Sequence, residues 1–173
     1  MLYVKDKFKV PYLTLVLMVT VVVIDQLSKN WALKALKVSP KHFIGFISFR
    51  LEFNSGAAFG IGTGSTLIVV LLSSIIAIAL LVVAFGTRNR VYQVSLGLIV
   101  GGAIGNLADR AFRFDHKYVV DFIYTSFWPT FNLADSSITI GVVTAIIYSL
   151  FKKESRPDLG KTPQEDSNAQ SDI

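Results

Sequence analysis

Asp121 and Asp135 are the residues whose type and placement could do chemistry. They lie in Val119-Val120-Asp121-Phe122-Ile123 and in Phe131-Asn132-Leu133-Ala134-Asp135-Ser136. Both neighbour long apolar runs, where an ionised side chain is costly to keep and is a functional candidate for that reason. Two carboxylates brought together do not both ionise easily, so one proton is held between them. The ionised partner can deprotonate a water while the protonated one polarises a carbonyl, which is sufficient chemistry to hydrolyse a peptide bond. The bland alternative is that each acid pairs with a nearby Lys or Arg, and spacing alone leaves both readings open. The acids are 14 residues apart, so the segment between them must fold back, with Trp128-Pro129 expected to supply the turn.

The elements that must position this pair are membrane spans. The chain has 173 residues, 52% of them hydrophobic, and a mean hydropathy of +0.54. No Asp, Glu, Lys or Arg lies between Lys9 and Asp25, Glu52 and Arg88, Arg90 and Asp109, or Asp135 and Lys152. A membrane helix needs about 20 mostly apolar residues. The windows predict spans near 10–28, 66–86, 91–109 and 134–151. A soluble bundle is disfavoured because residues 65 to 85 offer no polar stripe to water. The first span follows Lys5, Lys7 and Lys9, but no small-x-small cleavage site precedes Asp25, so it is expected to stay as an anchor. There is no Cys, which excludes disulfides, thiolate metal sites and Cys nucleophiles. The net charge of +5 suits anionic lipid, and no nucleic-acid motif or repeat is present.

The short basic connection Gly86-Thr87-Arg88-Asn89-Arg90 is placed in the cytoplasm by the positive-inside rule, and both termini with it. From the cytoplasmic charges, Lys9 to Asp25 is 16 residues, Arg90 to Asp109 is 19 and Lys152 to Asp135 is 17. At about 1.5 Å per residue these are roughly 24–29 Å, against a hydrocarbon core of about 30 Å. Asp25, Asp109 and Asp135 are therefore expected near one plane at the outer boundary.

The fold class predicted is an all-α membrane protein: four transmembrane helices with a small extracytoplasmic β-sheet and a short interfacial helix. Residues 1–153 form the bundle domain, and 154–173 are a polar tail, expected disordered and cytoplasmic. Phe49, Leu51 and Phe53 alternate with Arg50 and Glu52 as on a two-faced strand, and Lys117 to Tyr124 reads as extended. Residues 29–41 read as the short basic helix, with Trp31 near the interface. Arg113, His116 and Lys117 read as solvated surface.

Further motifs have both functional and structural readings. Asp25-Gln26-Leu27-Ser28-Lys29 either supports a site or is an Asp–Lys pair at a helix end. Ser28 and Lys29 are adjacent and point about 100° apart on a helix, against a Ser–Lys dyad. Asn54-Ser55-Gly56-Ala57-Ala58-Phe59 could let backbone approach a ligand, with Asn54 bonding a peptide, or be a plain turn. Gly101 and Gly105 make a small-xxx-small packing face, while Asn106 and Arg110, one turn apart, could orient carboxylates. There is no His-Glu-x-x-His motif and no Gly-x-Gly-Asp motif, and the two His residues, His42 and His116, exclude a multi-His metal site.

In order, five blocks resemble the lipoprotein signal peptidase (signal peptidase II) family over about Asp25 to Ile147. They are Asp25-Gln26-Leu27-Ser28-Lys29, Asn54-Ser55-Gly56-Ala57-Ala58-Phe59, Gly105-Asn106-Leu107-Ala108-Asp109-Arg110, Val119-Val120-Asp121-Phe122 and Phe131-Asn132-Leu133-Ala134-Asp135-Ser136. The resemblance implies a four-helix bacterial inner-membrane aspartyl endopeptidase with no metal or cofactor. Its substrate would be a diacylglyceryl-modified prolipoprotein, cut N-terminal to the lipidated Cys. Asp121 and Asp135 match the catalytic dyad. Asp25, Lys29, Asn54, Gly56, Asn106, Arg110, Asn132 and Ala134 match supporting or substrate-contacting positions. The expected partners are this substrate and membrane lipids, with no nucleic acid, and the chain is expected to be a monomer. The competing class is a small proton-coupled transporter or lipid-binding membrane protein, in which the acids would be protonation sites.

Overall fold

The computed structural model describes residues 10–56, 65–113 and 118–152. The first lysines, Ala57 to Phe59, His116, Lys117 and the polar tail lie outside the described residues. The element order is α1 (Tyr12–Ala35), β1 (Lys41–Ile44), β2 (Ile47–Asn54), α2 (Ser65–Gly86), α3 (Arg90–Phe112), β3 (Val119–Thr125), β4 (Trp128–Phe131) and α4 (Leu133–Phe151). All four helices are long and apolar enough to cross a membrane.

The helices match the uncharged windows, with one correction. α1 does not stop near residue 28. It runs to Ala35, so most of the basic segment expected as a separate interfacial helix is the last part of α1. The reason is that Asp25 and Lys29, read as a helix end, are both buried and paired inside the bundle. Nothing there needs water, and the helix continues.

α3 is the central helix and packs on α1, α2 and α4. Its glycines are what make that possible. A Cβ at Gly97 would come within 2.9 Å of Leu17, and one at Gly101 within 2.9 Å of both the Met18 carbonyl oxygen and Val21. Gly102 lies so close to the Ala134 carbonyl that no side chain fits, and Gly141 of α4 in turn closes on the Ser95 carbonyl of α3. Helices in lipid gain little from apolar burial, so close backbone approach at small residues does the holding. The faces left over are apolar and exposed, as along α2 at Leu67, Leu71, Ile75 and Val82, which suits contact with acyl chains.

The strands form one antiparallel sheet in the order β1-β2-β3-β4. It sits at the end of the bundle where α1 and α3 finish and α4 begins. Phe122 of β3 packs with Ala32 of α1 and with Leu36, its C-cap, joined by Phe49, Leu51 and Leu133. Trp31 meets Phe49 edge-on at 5.6 Å and Phe122 at 6.2 Å. The turn between β3 and β4 is Ser126-Phe127, not Trp128-Pro129. Pro129 is instead tolerated inside β4 because β4 is an edge strand, where a missing N–H breaks no ladder bond.

Gly101→Ala is expected to destabilise the protein by about 1–3 kcal/mol, because a backbone oxygen rather than a flexible side chain blocks the new methyl. Thermal unfolding in detergent checks this, with Gly86→Ala, which meets open space, as control. Equal midpoints would contradict the packing argument.

Candidate active site

Five structural elements, α1, β2, α3, β3 and α4, converge at the sheet end of the bundle, each bringing polar groups that burial forces into partnership. The centre is the ammonium of Lys29, which is fully buried. Its Nζ contacts Asp25 Oδ2 at 2.8 Å, Asp109 Oδ2 at 3.0 Å and Asn106 Oδ1 at 2.9 Å. An ammonium has three N–H donors, and all three are used.

The two carboxylates around Lys29 then grip the elements that carry the candidate dyad. Asp25 Oδ1 accepts from the backbone N–H of Ala134 at 3.0 Å, one residue before Asp135. Asp109 Oδ2 accepts from the backbone N–H of Val120 at 3.0 Å, one residue before Asp121. Ala134 must be small, because its backbone lies against Gly102 and its methyl faces Gly105. A Cβ at Gly105 would itself sit 2.6 Å from Asp25 Oδ2.

Asn132 and Asn106 tie the two acids together. Asn132 is the N-cap of α4 and forms a capping box with Asp135: its Oδ1 accepts from the Asp135 N–H at 2.9 Å, and its own N–H donates to Asp135 Oδ2 at 3.2 Å. Its Nδ2 donates to Asp121 Oδ1 at 2.7 Å and to Asn106 Oδ1 at 3.1 Å. Asn106 Nδ2 donates to Asp135 Oδ1 at 2.8 Å. The Asn132 side chain thus bonds the Asp121 carboxylate and the Asp135 backbone N–H, and both oxygens of each acid are engaged.

The remaining oxygen of Asp121, Oδ2, accepts from Asn54 Nδ2 at 2.9 Å. Asn54 is oriented by the Gly56 N–H, which donates to its Oδ1 at 2.8 Å. Gly56 has φ +78°, a left-handed conformation that glycine adopts without a Cβ penalty. The Arg110 guanidinium lies beside it, with Nη2 3.6 Å from where a Gly56 Cβ would stand. Arg110 is buried, its Nε has no partner among the described residues, and Nη1 makes a long bond to the Asn106 carbonyl at 3.4 Å. It is a cation held close to Asp135 and Asp121 with donors to spare.

Burial is the main reason the Asp121 carboxyl is pushed up to about 6. Its hydrogen bonds from Asn54 and Asn132 and the charge of Lys29 oppose this, and the Asp135 charge adds to it. A carboxyl so placed can hold a proton near neutral pH and donate it, which is the acid half of a dyad.

Two clefts open onto the pair. A polar cleft of about 310 Å³ reaches Asp121 and is lined by Arg50, Glu52, Asn54 and Thr130 among others. A more apolar groove of about 370 Å³ reaches Asp135 and runs past Phe127, Phe131, Thr139 and Ile140. Trp128 borders both.

All ten residues singled out in the sequence lie in or against this cluster, and the acids of three helices meet at one level as the residue counts implied. Arg113 is a correction. It is not solvated surface: Nε donates to Asp109 Oδ1 at 2.8 Å, Nη2 to Gln26 Oε1 at 2.7 Å and Nη1 to Asn30 Oδ1 at 2.9 Å. Its position four residues after Asp109 on one helix was the available signal. Gln26, which no motif singles out, also belongs to the cluster: its Nε2 donates to Asp109 Oδ1 at 3.0 Å and to the Gly105 carbonyl at 3.1 Å.

Residues 17–151 match the family model described as signal peptidase (SPase) II. A lipoprotein signal peptidase of Halothermothrix orenii is 38% identical over 83% of this chain and 98% of its own length. One of Clostridium novyi is 37% identical over 75% of this chain and 91% of its own length. A bacterial membrane enzyme solved by the in meso method superposes with a TM-score of 0.73 at 34% identity, covering 81% of this chain and 94% of that one.

Lys29→Met would strand Asp25 as a buried, uncompensated charge and leave Asp109 with Arg113 as its cation. The expected cost is about 3–5 kcal/mol, read as a lowered unfolding midpoint in detergent. A variant as stable as the parent would show that this cluster does not hold the elements together.

Proposed function

The chain belongs to the lipoprotein signal peptidase (signal peptidase II) family of multi-pass bacterial membrane aspartic proteases, and on that premise we propose that Asp121 and Asp135 are its catalytic dyad. The family activity is removal of signal peptides from lipoproteins. The observation that carries the dyad assignment is the Asn132 amide bonded to Asp121 and capping with Asp135, next to an Asp121 carboxyl raised into the range where it holds a proton.

The bond cut is the one N-terminal to the diacylglyceryl-modified Cys. Asp121 carries the shared proton and Asp135, in the first turn of α4 where the helix dipole favours negative charge, is the base. Asp135 takes a proton from water as the water oxygen attacks the scissile carbonyl, whose oxygen is polarised by protonated Asp121. The C–N bond then breaks and the leaving amine takes a proton from the dyad. The products are a signal peptide with a new carboxylate and a lipidated Cys with a free α-amino group. Asp25, Lys29, Asn106 and Asn132 hold the acids, Asn54 and Gly56 orient Asp121, Ala134 anchors the start of α4, and Arg110 offers its donors to the substrate.

Topology supports this reading. The connection bearing Arg88 and Arg90 is at the opposite end of the bundle from the sheet, so the positive-inside rule puts both termini in the cytoplasm and the site at the extracytoplasmic face of the inner membrane. A diacylated substrate is held laterally in the bilayer and presents its scissile bond at that depth. The apolar groove beside Asp135 is suited to such a substrate.

Asp121→Asn and Asp135→Asn should each lower cleavage of a diacylated prolipoprotein peptide by at least about 10³-fold while the protein still inserts. Retained turnover in either variant would sink the dyad, and no cleavage by the parent protein would favour a transport or lipid-binding role. The rate should be bell-shaped in pH. The alkaline limb of kcat/KM in the parent, set by loss of the Asp121 proton, should lie near 6. The Asn54 bond favours ionised Asp121, so Asn54→Ala should move that limb to higher pH. An unchanged limb would contradict Asp121 as the proton holder.

A further inference from the structure

A polypeptide bound across the dyad must leave it in two directions. The membrane-borne side is matched by the apolar groove along α4. The other side, which continues into water, is matched by the polar cleft next to Asp121. Its most organised group is Arg50, which the hydrolytic chemistry does not use.

Arg50 is aimed there by an irregularity in the sheet. Phe49 pairs with Ile123 and Glu52 with Asp121, so Arg50 and Leu51 together stand opposite Phe122. A bulge of this kind re-aims a side chain beside a site. The guanidinium carbon of Arg50 lies 3.7 Å over the Tyr124 ring. Its Nη2 is shared between Glu52 Oε2 and Thr130 Oγ1, each at 3.3 Å. Three strands therefore pin one side chain that is still 42% exposed. A guanidinium has five N–H donors, and the bonds to Glu52 and Thr130 both use one nitrogen.

A pinned, half-exposed fork loses little freedom on binding. Glu52 already offsets its charge, which suits it to neutral acceptors rather than to a free carboxylate. The acceptors an extended peptide offers regardless of sequence are its backbone carbonyls, and Glu52 alongside can accept a backbone N–H.

We propose that the polar cleft is the subsite for the residues that follow the scissile bond, and that Arg50, seated on Tyr124 and Thr130, binds their backbone carbonyl groups. This rests on the reading of Asp121 and Asp135 as the hydrolytic pair. It makes Arg50 a substrate-positioning residue whose effect depends on how far the substrate extends past the modified Cys.

Two diacylated peptides with the same signal segment test it, one ending at the Cys as an amide and one continuing for three small neutral residues. In the parent protein the longer peptide should have a kcat/KM about tenfold higher, the scale of one hydrogen bond to a charged group. In Arg50→Ala that ratio should fall to within about twofold. Tyr124→Leu, which removes the seat but not the charge, should reduce the ratio in the same direction. A parent protein indifferent to length overturns the proposal, as does an Arg50→Ala loss equal on both peptides or a ratio left intact. In those cases cleavage by the parent leaves the dyad standing. If the parent cleaves neither peptide, the hydrolytic reading falls and this inference with it.

Discussion

One buried ammonium organises the functional end of this protein. Lys29 has no contact with solvent and sits between Asp25 and Asp109. Removing such charges from water costs several kcal/mol per ion and is offset only if geometry and hydrogen bonding are complete. Here they are: the ammonium uses three partners, and each carboxylate adds a backbone N–H from a different element. The consequence is positional. Asp25 fixes α4 one residue from Asp135, Asp109 fixes β3 one residue from Asp121, and Lys29 fixes the distance between those two grips.

That arrangement separates holding from reacting. The holding acids are saturated with donors and face a cation directly. The proposed reacting acids face amides instead, through Asn132, Asn106 and Asn54. An amide orients a carboxylate without contributing a full charge, so burial remains the dominant influence on Asp121. A lysine in the place of Asn132 would hold both acids ionised and remove the proton the chemistry needs. The buried Arg110, whose Nε has no partner among the described residues, is a cation near the pair whose donors the scaffold does not consume.

The rest of the bundle serves to let these groups meet. Polar side chains from α1, α3 and α4 can reach one another only if the helices approach closely, and Gly97, Gly101, Gly102, Gly105 and Gly141 remove the side chains that would keep them apart. α2, which contributes no charged side chain, packs mainly against α3 and presents most of its surface outward. The sheet closes the end of α1 through Phe122, Trp31 and Phe49, and so carries Asp121 over the bundle to the level of Asp135.

The sequence by itself determined the elements that depend on local chemistry. Uncharged windows of membrane length mark four helices, alternation in 49–53 marks a strand, and an acid next to a long apolar run marks a site. Ordered motifs identified the family. What the sequence could not supply was partnership between residues far apart in the chain. Whether Lys29 ends a helix or lies inside it depends on Asp109, 80 residues away, and so the local pattern predicts α1 too short. Arg113 looked solvated because its partners Gln26 and Asn30 are on another helix. The local pattern puts the β3–β4 turn at Pro129 because proline is a turn former in isolation, and only its edge position in the sheet makes it acceptable in a strand. Only the tertiary structure decided that Asp121 and Asp135 meet on one asparagine, because burial makes each polar group find a partner and only the folded chain fixes which partners are within reach.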